Sequence, residues 1–219
     1  EISTIENKSE NKNENESEIT KKINKAKELK ELGNFFFKEQ KYSKAKSKYG
    51  MALAYITGFP GNKRSQTGWE SLAYQSSKDC LATDEEEIEA TNLEVILQQN
   101  LSTCYIKLND PKTAMIHCNK ALHLNPNSWK AMLRKGEIYL MKESFDEAES
   151  ILQSALNHTS EPANLQSIRA LLKKKEILEK KYEAKERNRY KALFRAKESD
   201  NTELQEETKN NSNEKSNEN

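Results

Sequence analysis

No hydrophobic run in this chain approaches the ~18 apolar residues of a membrane-spanning helix, so neither a membrane span nor a membrane partner is expected. Proline and glycine are scarce, four and six in 219 residues. That scarcity disfavours a turn-rich β fold and favours long uninterrupted helices. The three cysteines, Cys80, Cys104 and Cys118, are odd in number and show no CxxC spacing. A disulfide framework or thiolate metal site is therefore not expected, whereas reduced, buried thiols in a cytoplasmic protein are. An excess of one charge is also missing, because 36 Lys and Arg nearly cancel 35 Asp and Glu. This removes any global electrostatic case for nucleic acid and leaves charge-based function to local placement. His117, His123 and His158 have no Cys or carboxylate at metal-binding or catalytic spacing. Nor is there a phosphate-cradling glycine loop or a nucleophile–base arrangement, so no cofactor, metal or enzymatic activity is expected of this chain.

Charge itself is plentiful. Charged residues make up 32% of the chain and hydrophobic ones 34%, with a mean hydropathy of −1.00. Such a composition suits thin helical layers with polar outer faces better than one deep core. Residues 1–20 and 199–219 are rich in Glu, Asn, Ser and Lys without an apolar period, and both are expected to be disordered, the first as a linker. The chain opens at Glu1 rather than Met, without a signal-peptide pattern, and is expected to be a piece of a longer protein.

Between these ends the sequence repeats itself. Asn100, Tyr105, Ala114 and Ala121 recur 34 residues later as Arg134, Tyr139, Ala148 and Ala155. An earlier copy, Phe36, Ala45, Tyr49 and Ala52, precedes Tyr105, Ala114, Cys118 and Ala121 by a constant 69 residues, one period plus an insertion of 35. A period of ~34 is that of a helix–turn–helix solenoid unit. Gly33 and Gly136 are small enough to let paired helices approach, and Ala45, Ala114 and Ala148 do the same from the second helix. Phe36, Tyr105 and Tyr139 fill the space between pairs, and Pro126 separates two repeats.

The repeat resembles the tetratricopeptide repeat, and the resemblance implies an all-α right-handed superhelix of three helix pairs over residues 21–160, followed by a long C-terminal helix over 161–198. The pairs should occupy about 22–38 with 41–57, 86–107 with 111–123, and 127–141 with 144–157. The insertion at about 58–84 should be an extended loop anchored by Trp69, Leu72 and Tyr74, and Thr83 with Asp84 should start the next helix. Leu165, Ile168, Leu171 and Leu172 would cover the end of the array. Residues 173–197 hold eleven Lys and Arg against four Glu, with Tyr182, Tyr190, Leu193 and Phe194 interspersed. Such a basic helix is expected to be solvated, with calmodulin or another acidic partner as the functional alternative.

Five residues on the first helices of the pairs carry the candidate chemistry: Lys30 and Asn34, then Asn100, then Lys130 and Arg134. Lys30/Asn34 and Lys130/Arg134 are i, i+4 pairs, so each projects from one helical face. None of the five is a carboxylate. Two ammonium groups, a guanidinium and two amides on one groove suit a peptide ending in Asp, which supplies two carboxylates a few Å apart. Phe37, three residues after Asn34, could line that groove or pack against the next helix.

The segment from Lys30 to Lys38 (KELGNFFFK), the Asn100 context LQQNLSTCYIKL and the Lys130–Arg134 context WKAMLR resemble the dicarboxylate clamp of chaperone-binding tetratricopeptide domains. That resemblance implies a ligand: the Glu-Glu-Val-Asp terminus of the ninety- or seventy-kilodalton heat-shock chaperones. The insertion, the run CNKALHLNPNSWKAMLRKGEIYL and the long final helix ending RNRYKALF are similar to large immunophilins, FKBP-type peptidyl-prolyl isomerases. The resemblance implies an isomerase domain upstream in the parent protein. The chain departs from the pattern at Cys118, where a bulky aromatic is usual, and at Ser160, where the inter-repeat proline is usual. A generic scaffold binding an internal peptide remains the alternative to the clamp.

Overall fold

The computed structural model describes residues 17–57 and 82–216, with backbone alone for 196–216. Seven helices make up the described residues: α1 Glu18–Lys38, α2 Tyr42–Ile56, α3 Asp84–Lys107, α4 Pro111–Leu124, α5 Trp129–Met141, α6 Phe145–Leu156 and α7 Pro162–Ser216. The expected loop with Trp69, Leu72 and Tyr74, the residue Cys80 and most of the N-terminal linker lie outside the described residues. Two boundaries differ from expectation. Helix α1 begins at Glu18, inside the segment read as linker, because Ser17 caps it by accepting from the Thr20 amide. Helix α7 runs on to Ser216, past residue 199 where a disordered tail was expected; no proline or glycine interrupts it.

The start signals are local. Thr83 forms a capping box with Glu86. Asp110 accepts from the Thr113 amide with Pro111 in the first turn, and Ser128 accepts from the Ala131 amide. The stops repeat as strictly as the sequence does. Gln40, Asn109 and Glu143 all adopt left-handed backbone, with φ of 58°, 59° and 58°. The next amide in each case, Lys41, Asp110 and Ser144, donates back to the carbonyl of Phe36, Tyr105 and Tyr139. This 6→1 bond closes each helix and reverses the chain into its partner.

Within each pair, one close approach sets the spacing. A Cβ on Gly33 would lie 2.5 Å from Tyr49 Cε1, and one on Gly136 would lie 2.7 Å from Leu152 Cδ2. At the equivalent position of the second pair stand Ser102 and Cys118, with Oγ and Sγ 2.9 Å apart. The departure at Cys118 thus has a packing partner: the larger Ser replaces the glycine, and the smaller thiol replaces the ring.

Three apolar clusters run along the array. The first joins α1, α2 and α3 through Ile23, Ala26, Tyr49, Ile56, Leu97 and Cys104. The second joins α3, α4 and α5 through Ile106, Ala114, Cys118 and Ile138. In the third, Ile168 is fully buried and Leu171 and Leu172 pack with it against Met132, Leu133, Leu152 and Ala155, the covering role expected of the start of α7. Leu165, expected to share that role, is only half-buried. Residues from Lys173 onward form a separate compact unit. There the helix carries an i, i+4 pair, Lys175–Glu179 at 2.9 Å, and exposes Ile177, Tyr190, Leu193 and Phe194.

Candidate functional site

The first helices of successive pairs lie side by side, α1 against α3 and α3 against α5. The contact between α3 and α5 includes a bond from Gln99 Nε2 to Ser128 Oγ at 2.7 Å, and Ser128 is also the cap of α5. One side chain therefore fixes where α5 starts relative to the turn of α3 that carries Asn100.

Of the five residues singled out in the sequence, the structure joins two directly. Asn100 Nδ2 donates to Asn34 Oδ1 at 3.4 Å, across 66 residues of chain. The same oxygen accepts from the Tyr49 hydroxyl at 2.7 Å. Tyr49 is 2% exposed, and burial pushes its phenol up from the ordinary value, so the group stays a donor. With two donors on Oδ1, the Asn34 amide has one orientation, nitrogen outward. That nitrogen donates to Glu31 Oε2 at 3.1 Å, while the other oxygen of Glu31 pairs with Lys30 Nζ at 2.9 Å. The hydrogen bond from Lys30 is the chief reason the Glu31 carboxyl is held below its usual range.

Arg134 Nη1 pairs with Glu137 Oε2 at 3.1 Å. Lys130, which is exposed, has its Nζ 5.5 Å from the centroid of the Trp129 ring. Of the three candidate cations, Lys30 and Arg134 are thus already paired with carboxylates, Glu31 and Glu137. Phe37 lies half-buried, edge-on to Tyr42 with centroids 5.2 Å apart, and packs on the first apolar cluster.

Sequence reading missed Tyr49 and Glu31 as partners of Asn34 and Glu137 as the partner of Arg134. Tyr49 had registered only as a repeat-position ring. The available signal was its pairing with Gly33, which brings a polar tip next to residue 34. Between α3 and α4, His117 Nδ1 lies 2.7 Å from Gln98 Oε1 and its ring stacks on Tyr105. Burial lowers its pKa, and the neutral ring is part of the packing between α3 and α4. Burial also raises Cys104 to about 12 and Cys118 to about 11, so both remain protonated thiols. Among the described residues there is no cluster able to hold a metal ion and no helix long and apolar enough to cross a membrane.

This architecture is that of an all-α tetratricopeptide-repeat array. Residues 105–172 match the tetratricopeptide repeat family. The chain is similar to the peptidyl-prolyl cis-trans isomerase FKBP4 of Bos taurus, 31% identical over 135 residues, or 62% of this chain and 25% of that protein. It therefore spans about a quarter of the curated relative, in the repeat region, and no isomerase catalytic domain is part of what matches. Among solved structures, the fold matches the C-terminal TPR-containing domain of a Plasmodium falciparum protein described as FK506-binding, with 23% identity, 74% of this chain, 95% of that one and a TM-score of 0.54. It also matches the Hsp90 co-chaperone Cns1 of Saccharomyces cerevisiae, with 19% identity, 80% of this chain, 46% of that one and a TM-score of 0.52.

Proposed function

We propose that this module is a co-chaperone docking domain that grips the carboxyl end of a cytosolic heat-shock chaperone tail of the Glu-Glu-Val-Asp type. The ninety-kilodalton class is the favoured partner, and Lys30, Asn34, Asn100, Lys130 and Arg134 form the grip. The observation that carries this reading is the Asn34–Asn100 bond, because it joins two of the five residues from helices that the sequence separates by the insertion. Lysines act as point charges toward the two terminal carboxylates, Arg134 as a planar fork, and the oriented amides fix the peptide's direction. Each charge-assisted bond contributes about 1.5–3 kcal/mol. Losses in freedom on association offset much of the sum, leaving micromolar affinity, about −8 kcal/mol. The matched Cns1 is itself described as an Hsp90 co-chaperone, which supports the same partner class.

The test is calorimetric titration of Met-Glu-Glu-Val-Asp against its C-terminal amide. The free acid should bind at micromolar Kd, weakening with salt, and the amide should bind poorly. Lys130→Ala and Arg134→Ala should each cost tenfold or more, on the order of 1.4 kcal/mol. Equal binding of acid and amide would refute the clamp and favour a scaffold for internal peptides.

A further inference from the structure

The position of Glu31 has a consequence for this groove. Its two oxygens bridge Lys30 Nζ at 2.9 Å and Asn34 Nδ2 at 3.1 Å. That is a carboxylate held by an ammonium and an amide that is itself locked by Tyr49 and Asn100. An arriving peptide carboxylate would need those same two donors. Taking the proposed clamp as its premise, we propose that Glu31 is an internal stand-in for the ligand, a carboxylate that occupies the first half of the grip and must be displaced before a chain end can bind. Glu137 plays the same part on Arg134 at the other end, 3.1 Å away.

The geometry allows the exchange. Glu31 has a side chain 57% exposed, against 22% for Lys30, so the acid can swing into solvent while the lysine stays. Glu31 stands three residues before Asn34, a spacing that meets on one helical face, and its other oxygen reaches the neighbouring Lys30 ammonium. The competition is between one tethered carboxylate and two carboxylates joined on one peptide end. A single carboxylate gains little over what it displaces, whereas a doubly ionised terminus can displace Glu31 and Glu137 together. The stand-ins thus lower affinity overall and discriminate against mono-anionic chain ends. They also keep Lys30 and Arg134 paired in the unliganded module.

The test uses the whole chain and three variants, Glu31→Gln, Glu137→Gln and Lys130→Ala. They and the wild-type chain are titrated with Met-Glu-Glu-Val-Asp, with its C-terminal amide and with a peptide whose terminal Asp is replaced by Asn, at low salt and neutral pH. Removing a partly exposed competitor and its repulsion should tighten the Asp-ended peptide by about two- to fivefold for Glu31→Gln. The Asn-ended peptide should gain at least as much, narrowing the preference between the two. Glu137→Gln should act in the same direction. If Lys130→Ala abolishes binding but Glu31→Gln leaves affinity unchanged or weakens it, the stand-in is overturned while the clamp survives. If the wild-type chain binds the Asp-ended peptide no better than its amide, the clamp falls and the stand-in falls with it. Unchanged helical melting of Glu31→Gln separates these outcomes from a folding defect.

Discussion

Replacing Gly33 by alanine tests the close approach on which the first repeat and its site both rest. In an open helix, Gly→Ala stabilises by about 1 kcal/mol. At residue 33 the added methyl would lie 2.5 Å from Tyr49 Cε1 and 2.6 Å from Cδ1, well inside ordinary contact at about 3.5–4.0 Å. The ring cannot yield easily, being 2% exposed and tied by its hydroxyl to Asn34. Overpacking of this kind costs about 1–3 kcal/mol. With the ring near the rigid end of that range, the net is a loss of about 1–2 kcal/mol, or roughly 2–8 °C in Tm. Gly50, on the facing helix with nothing within 4 Å of its would-be Cβ, is the internal control and should gain stability as alanine. A second check is the exchange Gly33→Ser with Tyr49→Cys, which copies the Ser102 and Cys118 pairing of the next repeat. Its losses should fall short of additivity by about 1 kcal/mol or more. The assay is urea denaturation followed by far-ultraviolet circular dichroism. Equal stabilisation by Gly33→Ala and Gly50→Ala would refute the argument.

Three further expectations can be checked with the same protein. Glu143→Gly should raise Tm by relieving a left-handed residue, worth about 1 kcal/mol, whereas Asn109→Gly should change little because Asn tolerates that backbone; a lower Tm for Glu143→Gly would contradict it. Glu86 accepts from Ser17, Thr20 and Thr83, and these bonds hold its carboxyl at about 2 against an ordinary 4.5. Because the folded-state pKa is depressed, its contribution is complete above about pH 4.5 and is lost as pH falls toward about 2. Glu86→Gln should therefore cost about 1 kcal/mol at pH 7, with the gap to wild type closing at acid pH in urea melts. Tyr49→Phe should leave the fold in place, at a cost of about 1 kcal/mol, yet weaken the Asp-ended peptide several-fold by releasing the Asn34 amide. Undiminished affinity would mean that Tyr49 does not position Asn34.

Much of the fold was legible because the features that specify it repeat. The 34-residue period placed Ala45, Ala114 and Ala148, and all three are fully buried on the second helices of their pairs. The turns were legible only in position. Of Gln40, Asn109 and Glu143, only Asn109 is a residue type that favours left-handed backbone; at the other two the 6→1 bonds impose it. The start of α1 was not legible in composition. Ser17 extended α1 backwards through a single hydrogen bond, too local a cause for the polar segment around it to reveal.

The candidate site divides along the same line. Sequence spacing alone determined that Lys30 and Asn34 share a face, that Lys130 and Arg134 do too, and that Asn100 and Arg134 are equivalent positions. Helical periodicity and a constant repeat length are one-dimensional properties. Only the tertiary structure decided that Asn34 bonds Asn100, that Tyr49 orients the amide between them, and that Glu31 and Glu137 take two of the cations. Those choices depend on interhelical distances set by Gly33 and its counterparts and on which rotamer each side chain adopts once neighbours are in place. Neither quantity has a period to be read.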